Sequence, residues 1–163
     1  MSLKEKISKI KLVLTDIDGV LTDGSLYYSD EGIVMKKFFV KDGMGAVLLK
    51  KNGIEVGIVS SDKSETAIAR GKRLNLELVY YGVEDKMKAL DEICFVRNIE
   101  KENIAFIGDD VNDLEILKEV GLSACPADAV EEVNSIADYV CKKEGGRGAF
   151  REFADLILKT GSR

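Results

Sequence analysis

Short apolar runs alternate along the chain with segments whose apolar residues recur at helical spacing. The strands are expected at Leu12 to Leu14, Val56 to Val59, Leu78 to Tyr80, Ile104 to Ile107 and Leu122 to Ala124. The helices are expected at Gly45 to Lys51, Ser64 to Leu74, Lys86 to Arg97 and Asp113 to Val120. Each strand is brief and almost entirely apolar, which is typical of strands covered by helices on both faces. The pattern therefore predicts an α/β fold with a doubly wound, mostly parallel sheet.

One segment interrupts this alternation. Residues 25–40 read SLYYSDEGIVMKKFFV, two β-rich stretches around the turn signal Asp30-Glu31-Gly32, and they predict a protruding β-hairpin. An apolar hairpin on a small domain exposes strand edges and aromatic side chains, which favours self-association through it. A hairpin that lies against its own domain is the alternative.

Composition narrows the possible functions. The 163 residues show no repeat or linker, so we expect a single domain over residues 1–163 with a C-terminal tail and helix at about 145–160. A formal net charge of −5 argues against binding nucleic acid or membranes by charge. Without a signal-peptide stretch or a bilayer-length apolar run, a cytoplasmic location is expected. The sequence has no histidine, so proton transfer must come from carboxylates, lysine, tyrosine or water.

Acidic residues follow two of the predicted strands, at the edge where parallel sheets bind their ligands. Asp16 and Asp18 leave the first strand and can face one pocket, where a cation would relieve their repulsion; a solvated turn is the alternative. Asp109, Asp110 and Asp113 follow the fourth strand, which is more carboxylates than helix capping needs. Hard oxygen ligands without histidine or thiolate indicate Mg²⁺.

Two other polar residues follow the remaining strands. The hydroxyl of Ser60 and the free N–H groups beside it suit a phosphate oxygen, although a plain helix cap is an equal reading. Lys86 opens a helix, where its charge opposes the helix dipole, so a carboxylate or phosphoryl partner is expected; a surface lysine is the alternative. The ordered set of Asp-x-Asp, Ser, Lys and Gly-Asp-Asp is far more specific than any one member.

This ordered set resembles the haloacid dehalogenase-type phosphohydrolase superfamily. The segment DIDGVLTDG from Asp16 to Gly24 resembles its first motif, Ser60 the second, Lys86 the third, and GDDVND from Gly108 to Asp113 the fourth. The resemblance covers nearly the whole chain and implies a Rossmann-like sheet. The segments between the motifs are too short for the cap domain of larger members.

A closer resemblance is to the capless 3-deoxy-D-manno-octulosonate 8-phosphate (KDO 8-phosphate) phosphatases. It rests on DGVLTDG, on FFVKDGMGA from Phe38 to Ala46 and on GGRGAFRE from Gly145 to Glu152. It implies hydrolysis of KDO 8-phosphate in lipopolysaccharide sugar synthesis, by a homotetramer assembled through the hairpin. It also implies that the tail at 145–147 covers a neighbour's site. The residues expected near the sugar-acid phosphate are Lys41, Asp42, Gly43, Asp62, Arg70, Lys86 and Arg147.

Asp62 departs from the pattern of that family. Members that act on the eight-carbon sugar often have Thr-Gly-Arg where this chain has Ser60-Ser61-Asp62, with the arginine meeting the substrate. An acidic residue there is similar to the sister group that acts on 2-keto-3-deoxynonulosonate 9-phosphate, and Arg70 matches a substrate-contacting arginine of both groups. The sequence leaves the choice of sugar open.

The resemblance implies hydrolysis of a phosphate monoester through an aspartyl-phosphate. Asp16 is then the nucleophile, and Asp18 gives a proton to the leaving alkoxide and later accepts one from water. Ser60 and Lys86 would hold the non-bridging phosphate oxygens.

The same resemblance implies how a metal is held. Asp16, Asp109 and the backbone carbonyl of Asp18 would ligate Mg²⁺, while Asp110 and Asp113 would orient metal-bound water or Lys86.

Two other classes of protein remain open. A phosphoacceptor receiver domain has similar residues, but its acceptor aspartate typically follows the third strand, and LVYY here ends without one. A non-catalytic assembly module, which would bind Mg²⁺ without turning over a sugar phosphate, is the second.

Overall fold

The computed structural model describes residues 1–161, with the side chain of Val34 left out of the description. Residues 162–163 of the expected domain lie outside the described part. In chain order the elements are α1 (Leu3–Ser8), β1 (Leu12–Thr15), β2 (Tyr27–Ser29), β3 (Gly32–Met35), α2 (Val40–Lys51), β4 (Glu55–Val59), α3 (Thr66–Leu74), β5 (Leu78–Tyr80), α4 (Lys86–Arg97), β6 (Ile104–Ile107), α5 (Leu114–Glu119), β7 (Leu122–Cys125), α6 (Glu131–Asn134), β8 (Tyr139–Val140) and α7 (Ala149–Gly161). Two 3₁₀ turns, Lys101–Asn103 and Val111–Asp113, precede β6 and α5.

The main sheet confirms the predicted doubly wound α/β fold. Its six strands lie in the order β5-β4-β1-β6-β7-β8, and every neighbouring pair is parallel. The five predicted strands are all present. The sixth, β8, has two residues and no apolar run, so periodicity could not find it.

The core lies on both faces of the sheet. Along β1, Val13 faces one hydrophobic cluster while Leu12 and Leu14 face the other, because successive side chains of a strand point to opposite faces. The first cluster packs α1, α2, α3 and α7 on the sheet, and the second packs α4, α5 and α6. This burial on both faces explains why the strand segments are apolar throughout.

Helix α2 begins at Val40, five residues before the predicted start. Gly43 and Gly45 lower the helix propensity of its first turns, which hid them from the pattern. Tertiary packing overrides that propensity: a Cβ on Gly45 would lie 3.2 Å from the Cα of Arg151, so the glycine allows α2 to approach α7 closely. Helix α3 starts at Thr66 rather than at Ser64.

The predicted hairpin forms a separate two-stranded antiparallel sheet, β2–β3. Its strands end at Met35, so the segment from residue 36 to 39 is a connection to α2 rather than part of the hairpin. Leu26, Tyr27, Tyr28 and Met35 are all exposed, Tyr28 to 65%. The hairpin therefore presents an apolar surface in the isolated chain.

Among the described helices, none combines the length and the apolar character needed to cross a membrane.

Candidate active site

The predicted motifs meet at the carboxyl end of the sheet. Asp16 directly follows β1, which lies between β4 and β6, and its N–H donates to the carbonyl of Ile107 (3.1 Å). Ser60 follows β4 and donates its N–H to the carbonyl of Tyr80 (2.9 Å). These ladder bonds continue the strands by one residue and bring the two side chains to the same edge, as the parallel topology requires.

Lys86 lies between two buried carboxylates. Its Nζ is 2.8 Å from Oδ2 of Asp16 and 2.5 Å from Oδ1 of Asp113, and all three side chains are buried. Burial alone would lower the pKa of Lys86, but the two carboxylates overcome it and hold the pKa above its ordinary value. The lysine predicted from its place at a helix start therefore has the partners that it was expected to have.

Burial is also the largest influence on Asp16. It raises the pKa of this carboxyl to about 6, with Lys86 opposing the rise and Asp113 adding to it. One oxygen of Asp16 accepts the N–H of Ile17 at 2.6 Å, and the other faces Lys86. The side chain is thus fixed by one backbone and one side-chain donor.

Asp113 organises the turn after β6. Its Oδ2 accepts the N–H groups of Asp109 (2.9 Å) and Asp110 (3.4 Å), while its Oδ1 accepts from Lys86. A Cβ on Gly108 would lie 2.5 Å from the carboxyl of Asp113, so the turn needs a glycine there. Asp113 therefore orients Lys86 and the turn, in keeping with its expected supporting role. The side chain of Asp110 is exposed and accepts the N–H of Val111 (2.7 Å).

Asp109 has the features of a cation ligand. Oxygens of Asp16, Asp109 and Asp113 lie within 4.8 Å of one another, and Oδ1 of Asp109 is buried with no hydrogen-bond partner among the described residues. Burial, followed by repulsion from Asp16 and Asp113, raises the pKa of Asp109 to about 8. A buried carboxylate oxygen without a donor costs free energy that a divalent cation would recover, so the residues fit Mg²⁺.

Gly19 makes room for that carboxylate. It has φ +84°, and a Cβ at this position would lie 1.9 Å from Oδ2 of Asp109. The glycine of the first motif is therefore needed for close approach of its loop to the turn after β6, as well as for its left-handed backbone.

Asp18 points away from this cluster and is held by Lys36, which the sequence analysis did not identify. Nζ of Lys36 is 2.7 Å and 2.6 Å from the two oxygens of Asp18 and 2.6 Å from Oδ2 of Asp62. The lysine side chain is only 1% exposed, whereas that of Asp18 is 30% exposed. Burial opposes the charge of Lys36, but its bonds to Asp18 and Asp62 raise its pKa above the ordinary value.

The carboxylate of Asp62 accepts hydrogen bonds from two side chains. Besides Lys36, it accepts from the hydroxyl of Ser64, and its own N–H donates to Oγ of Ser60 (3.3 Å). Burial would raise the pKa of Asp62, yet Lys36 and Ser64 together lower it. Asp62 thus shares Lys36 with Asp18, and its expected contact with the sugar stays a prediction.

Asp42 and Gly43 lie in the first turn of α2, where it meets α7 and α3. Asp42 is fully buried, and its Oδ1 accepts the N–H of Arg151 (2.9 Å) in the first turn of α7. Burial raises its pKa to about 6. Gly43 packs under Arg70, whose Nη2 would be 2.8 Å from a Cβ there. In this structure the two residues join α2 to α7 and α3, and the expectation that they lie near substrate stays a prediction.

Arg70 lies beside the connection between the hairpin and α2. Its guanidinium is 4.9 Å from the ring centroid of Phe38 and donates to the carbonyl of Phe39 at 3.4 Å. It makes no hydrogen bond to Asp16, Asp18 or Asp62 among the described residues. The structure therefore places it next to the site rather than within the carboxylate cluster.

Lys41 and Arg147 lie together in another place. Both are exposed and line a groove of about 760 Å³ that also includes Tyr139, Lys143 and Arg151. None of the carboxylates after β1 or β6 lines this groove. Within one chain, these two predicted substrate contacts are separated from Asp16.

The segment after β8 packs against its own chain. The N–H of Gly146 donates to the carbonyl of Val20 (2.9 Å), and that of Gly145 donates to Oδ1 of Asp128 (2.9 Å). A Cβ on Gly145 would lie 1.8 Å from the carbonyl oxygen of Gly19. Residues 145–146 support their own first-motif loop, and the expectation that the tail at 145–147 covers a neighbour's site stays a prediction.

The chain is similar in sequence to known phosphatases over most of its length. The sequence model of haloacid dehalogenase-like hydrolases matches residues 54–151. The 3-deoxy-D-manno-octulosonate 8-phosphate phosphatase of Haemophilus influenzae is 38% identical over 157 residues, which is 96% of this chain and 87% of that protein. The Escherichia coli K12 protein of the same name is 38% identical over 153 residues, covering 94% and 81% of the two chains.

Solved structures share the fold over almost its whole length. The Yersinia pestis 3-deoxy-D-manno-octulosonate 8-phosphate phosphatase superposes with a TM-score of 0.94 at 35% identity, covering 98% of this chain and 86% of that one. The Moraxella catarrhalis enzyme of that name, in complex with magnesium ion, phosphate ion and KDO, has a TM-score of 0.93 at 37% identity, covering 96% and 90%.

Proposed function

This chain belongs to the haloacid dehalogenase-like hydrolases and, within them, to the KDO 8-phosphate phosphatases, and from that membership we propose that it hydrolyses KDO 8-phosphate to KDO and phosphate with the help of Mg²⁺. The observation that carries the proposal is the buried set of Asp16, Lys86 and Asp113 beside the unpartnered oxygen of Asp109. Such a set is costly to bury unless a cation and an anionic substrate complete it.

The proposed reaction begins at Asp16. One of its carboxylate oxygens forms a bond to phosphorus, the bond from phosphorus to the sugar oxygen breaks, and its electron pair leaves with that oxygen. Asp18 supplies the proton that the sugar oxygen takes up. Water then attacks phosphorus, gives its proton back to Asp18, and releases phosphate from Asp16. Asp18 thus performs both proton transfers in a chain without histidine, as acid in the first step and as base in the second.

The charges of the site are balanced by Lys86 and by Mg²⁺. Asp16, Asp109 and the backbone carbonyl of Asp18 would hold the ion, which offsets the repulsion between the carboxylates and a phosphate dianion. Lys86 contributes a second positive charge, fixed by Asp113. Ser60, whose Oγ accepts the N–H of Asp62, would bind a non-bridging phosphate oxygen.

The nine-carbon sugar acid phosphate is the second candidate substrate, and Asp62 is the observation that favours it. The deciding experiment measures Mg²⁺-dependent phosphate release from KDO 8-phosphate and from 2-keto-3-deoxynonulosonate 9-phosphate, with EDTA as the metal control. Preference for the first supports the proposal, and preference for the second makes Asp62 a marker of the longer sugar. A stable phosphorylated Asp16 without phosphate release would indicate a receiver, and Mg²⁺ binding without turnover an assembly module.

We propose further that the chain is a single domain that acts in the cytoplasm as a homotetramer assembled through the hairpin. The exposed side chains of Tyr27, Tyr28 and Met35 support an interface there, because they form an apolar surface with no cover in the isolated chain. In such an assembly Lys41 and Arg147 could reach a neighbour's substrate although they are apart from Asp16 in their own chain.

The test is the mass in solution of the wild type and of Tyr28→Lys, measured by light scattering. We expect a tetramer for the wild type and smaller species for the variant. Phe95→Lys, at an exposed position far along α4, is the control and should keep the wild-type mass. A monomeric wild type contradicts the tetramer.

A further inference from the structure

Lys36 is the only residue whose side chain hydrogen-bonds the carboxylate of Asp18 among the described residues. It contacts both oxygens at 2.7 Å and 2.6 Å, and Asp62 holds the lysine from its other side at 2.6 Å. Three carboxylate oxygens around one ammonium group, with the lysine side chain 1% exposed, leave the ammonium little freedom to move. A contact of this kind fixes the rotation of the Asp18 side chain.

Because of the position of Lys36 in the chain, its contact with Asp18 also joins the hairpin to the first motif. It follows directly after Met35, the last residue of β3, so the root of the hairpin lies against the loop that carries Asp18. The next residue, Lys37, pairs with Asp23 at the far end of the same loop. Two consecutive lysines therefore attach the hairpin to the first motif, and one of them does so through the proposed proton donor.

We propose that Lys36 is a positioning residue for Asp18: it holds the carboxylate in the orientation from which the leaving oxygen is protonated, with Asp62 fixing the lysine in turn. The inference rests on the proposed function. It concerns one step only, the breaking of the bond between phosphorus and the leaving oxygen, in which the oxygen gains the proton of Asp18. Attack by Asp16, which is held by Lys86 and the N–H of Ile17, does not need Lys36.

This division of labour predicts a dependence on the leaving group. A poor leaving group needs the proton while the bond breaks, whereas a good one leaves largely unprotonated. Phenyl phosphate and 4-nitrophenyl phosphate have the same ring and differ mainly in how easily the phenoxide leaves. Neither carries a sugar, so a direct contact of Lys36 with the sugar acid would not affect the comparison.

The experiment measures kcat/KM of the wild type, Lys36→Met, Lys36→Arg and Lys37→Met on both aryl phosphates and on the preferred sugar phosphate, with saturating Mg²⁺. For Lys36→Met we expect a loss of about 100-fold on phenyl phosphate and on the sugar phosphate, and at most about fivefold on 4-nitrophenyl phosphate. Lys36→Arg keeps the charge and should recover most of the loss. Lys37→Met removes the neighbouring lysine and should stay within about twofold of wild type on every substrate.

Equal losses of Lys36→Met on the two aryl phosphates, or no loss on either, would overturn the proposal. Asp62→Asn serves as a second variant if Lys36→Met does not fold, because it leaves the lysine present but removes one of its supports. It should lose more activity on phenyl phosphate than on 4-nitrophenyl phosphate, and equal losses contradict the inference. A wild type that hydrolyses neither sugar phosphate contradicts the proposed function, whereas an active wild type with uniform losses contradicts only the role of Lys36.

Discussion

Asp16 and Asp18 of the first motif are two positions apart in the sequence, yet their side chains are held by two parts of the molecule that differ in burial and in secondary structure. Asp16 is paired with Lys86 at the start of α4, a helix packed on the central sheet through Leu90 and Ile93. Asp18 is paired with Lys36 at the root of a two-stranded hairpin whose first strand is exposed.

This difference separates the group that all substrates share, the phosphoryl group, from the group that varies among them, the leaving group. Every phosphate monoester presents the same phosphoryl group, and the residues that would meet it are buried around Asp16. Leaving groups vary, and Asp18, the residue that would meet them, is partly exposed and depends on the hairpin. Loss of support on the sheet side should therefore damage every reaction of the site, and loss on the hairpin side should damage some reactions more than others.

The largest effect is expected at Asp16 itself. Asp16→Asn removes the proposed nucleophile at nearly constant volume, so turnover should fall by on the order of 10⁴-fold or more on all substrates. Phosphate release measures the loss, and circular dichroism and thermal unfolding check that the fold is kept. Appreciable activity in this variant, free of wild-type contamination, would refute the role of Asp16.

The next effect concerns stability on the sheet side. Lys86→Met leaves Asp16 and Asp113 buried and facing each other without a cation, which should lower the free energy of unfolding of the metal-free protein by about 3 kcal/mol. Lys36→Met should cost less, because Asp18 and Asp62 can turn to water. Urea unfolding in EDTA measures both, and equal costs would contradict the contrast between the two lysines.

A comparison of two glycines in one loop isolates the metal site. Gly19→Ala should weaken Mg²⁺ binding by about 100-fold, because the new Cβ would lie 1.9 Å from Oδ2 of Asp109. Gly24→Ala is the matched control: its φ is also positive, +75°, but the nearest atom to its Cβ is 3.8 Å away. It should cost about 1 kcal/mol of backbone strain and leave Mg²⁺ affinity nearly unchanged. Calorimetric titration of Mg²⁺ into both variants provides the measurement.

The smallest effect is a pH dependence of the metal-free protein. The raised pKa values of Asp16, about 6, and Asp109, about 8, mean that the folded state holds more protons than the unfolded state between about pH 4 and pH 8. Stability without metal should therefore fall as pH rises through this range. Mg²⁺ competes with protons for these carboxylates, so its affinity should increase as pH rises over the same range.

Thermal unfolding with EDTA and with Mg²⁺, from pH 5.5 to 8.5, follows this effect. Asp109→Asn removes the carboxyl with the higher pKa and should flatten the upper part of the slope. A metal-free melting temperature that rises with pH would contradict the prediction that these buried carboxyls govern the pH dependence of stability.

The residues on the sheet side of the site could be predicted from the sequence, whereas the lysine on the hairpin side could not. Asp16, Ser60, Lys86 and Asp109 were found because each follows a strand or opens a helix, and the topology of a parallel sheet alone brings such positions together. Lys36 was missed because its place depends on the path from the hairpin to α2, which has neither the period of a helix nor that of a strand.

The contacts of Asp42 could not be predicted for a similar reason. The resemblance identified the segment with Asp42 but not the direction of its side chain, and that direction depends on the position of Asp42 in the first turn of α2. Two glycines concealed this turn from the helical pattern. Once the turn exists, Asp42 faces the start of α7 and is buried there.

The contact of Gly145 and Gly146 with the loop after β1 also has a consequence for the order in which the protein is made. The ribosome synthesises that loop early, but the two glycines that support it come more than a hundred residues later. A growing chain thus carries Asp16 long before the surroundings of this residue are complete. We expect the loop to reach its final packing only when the last part of the chain has been made.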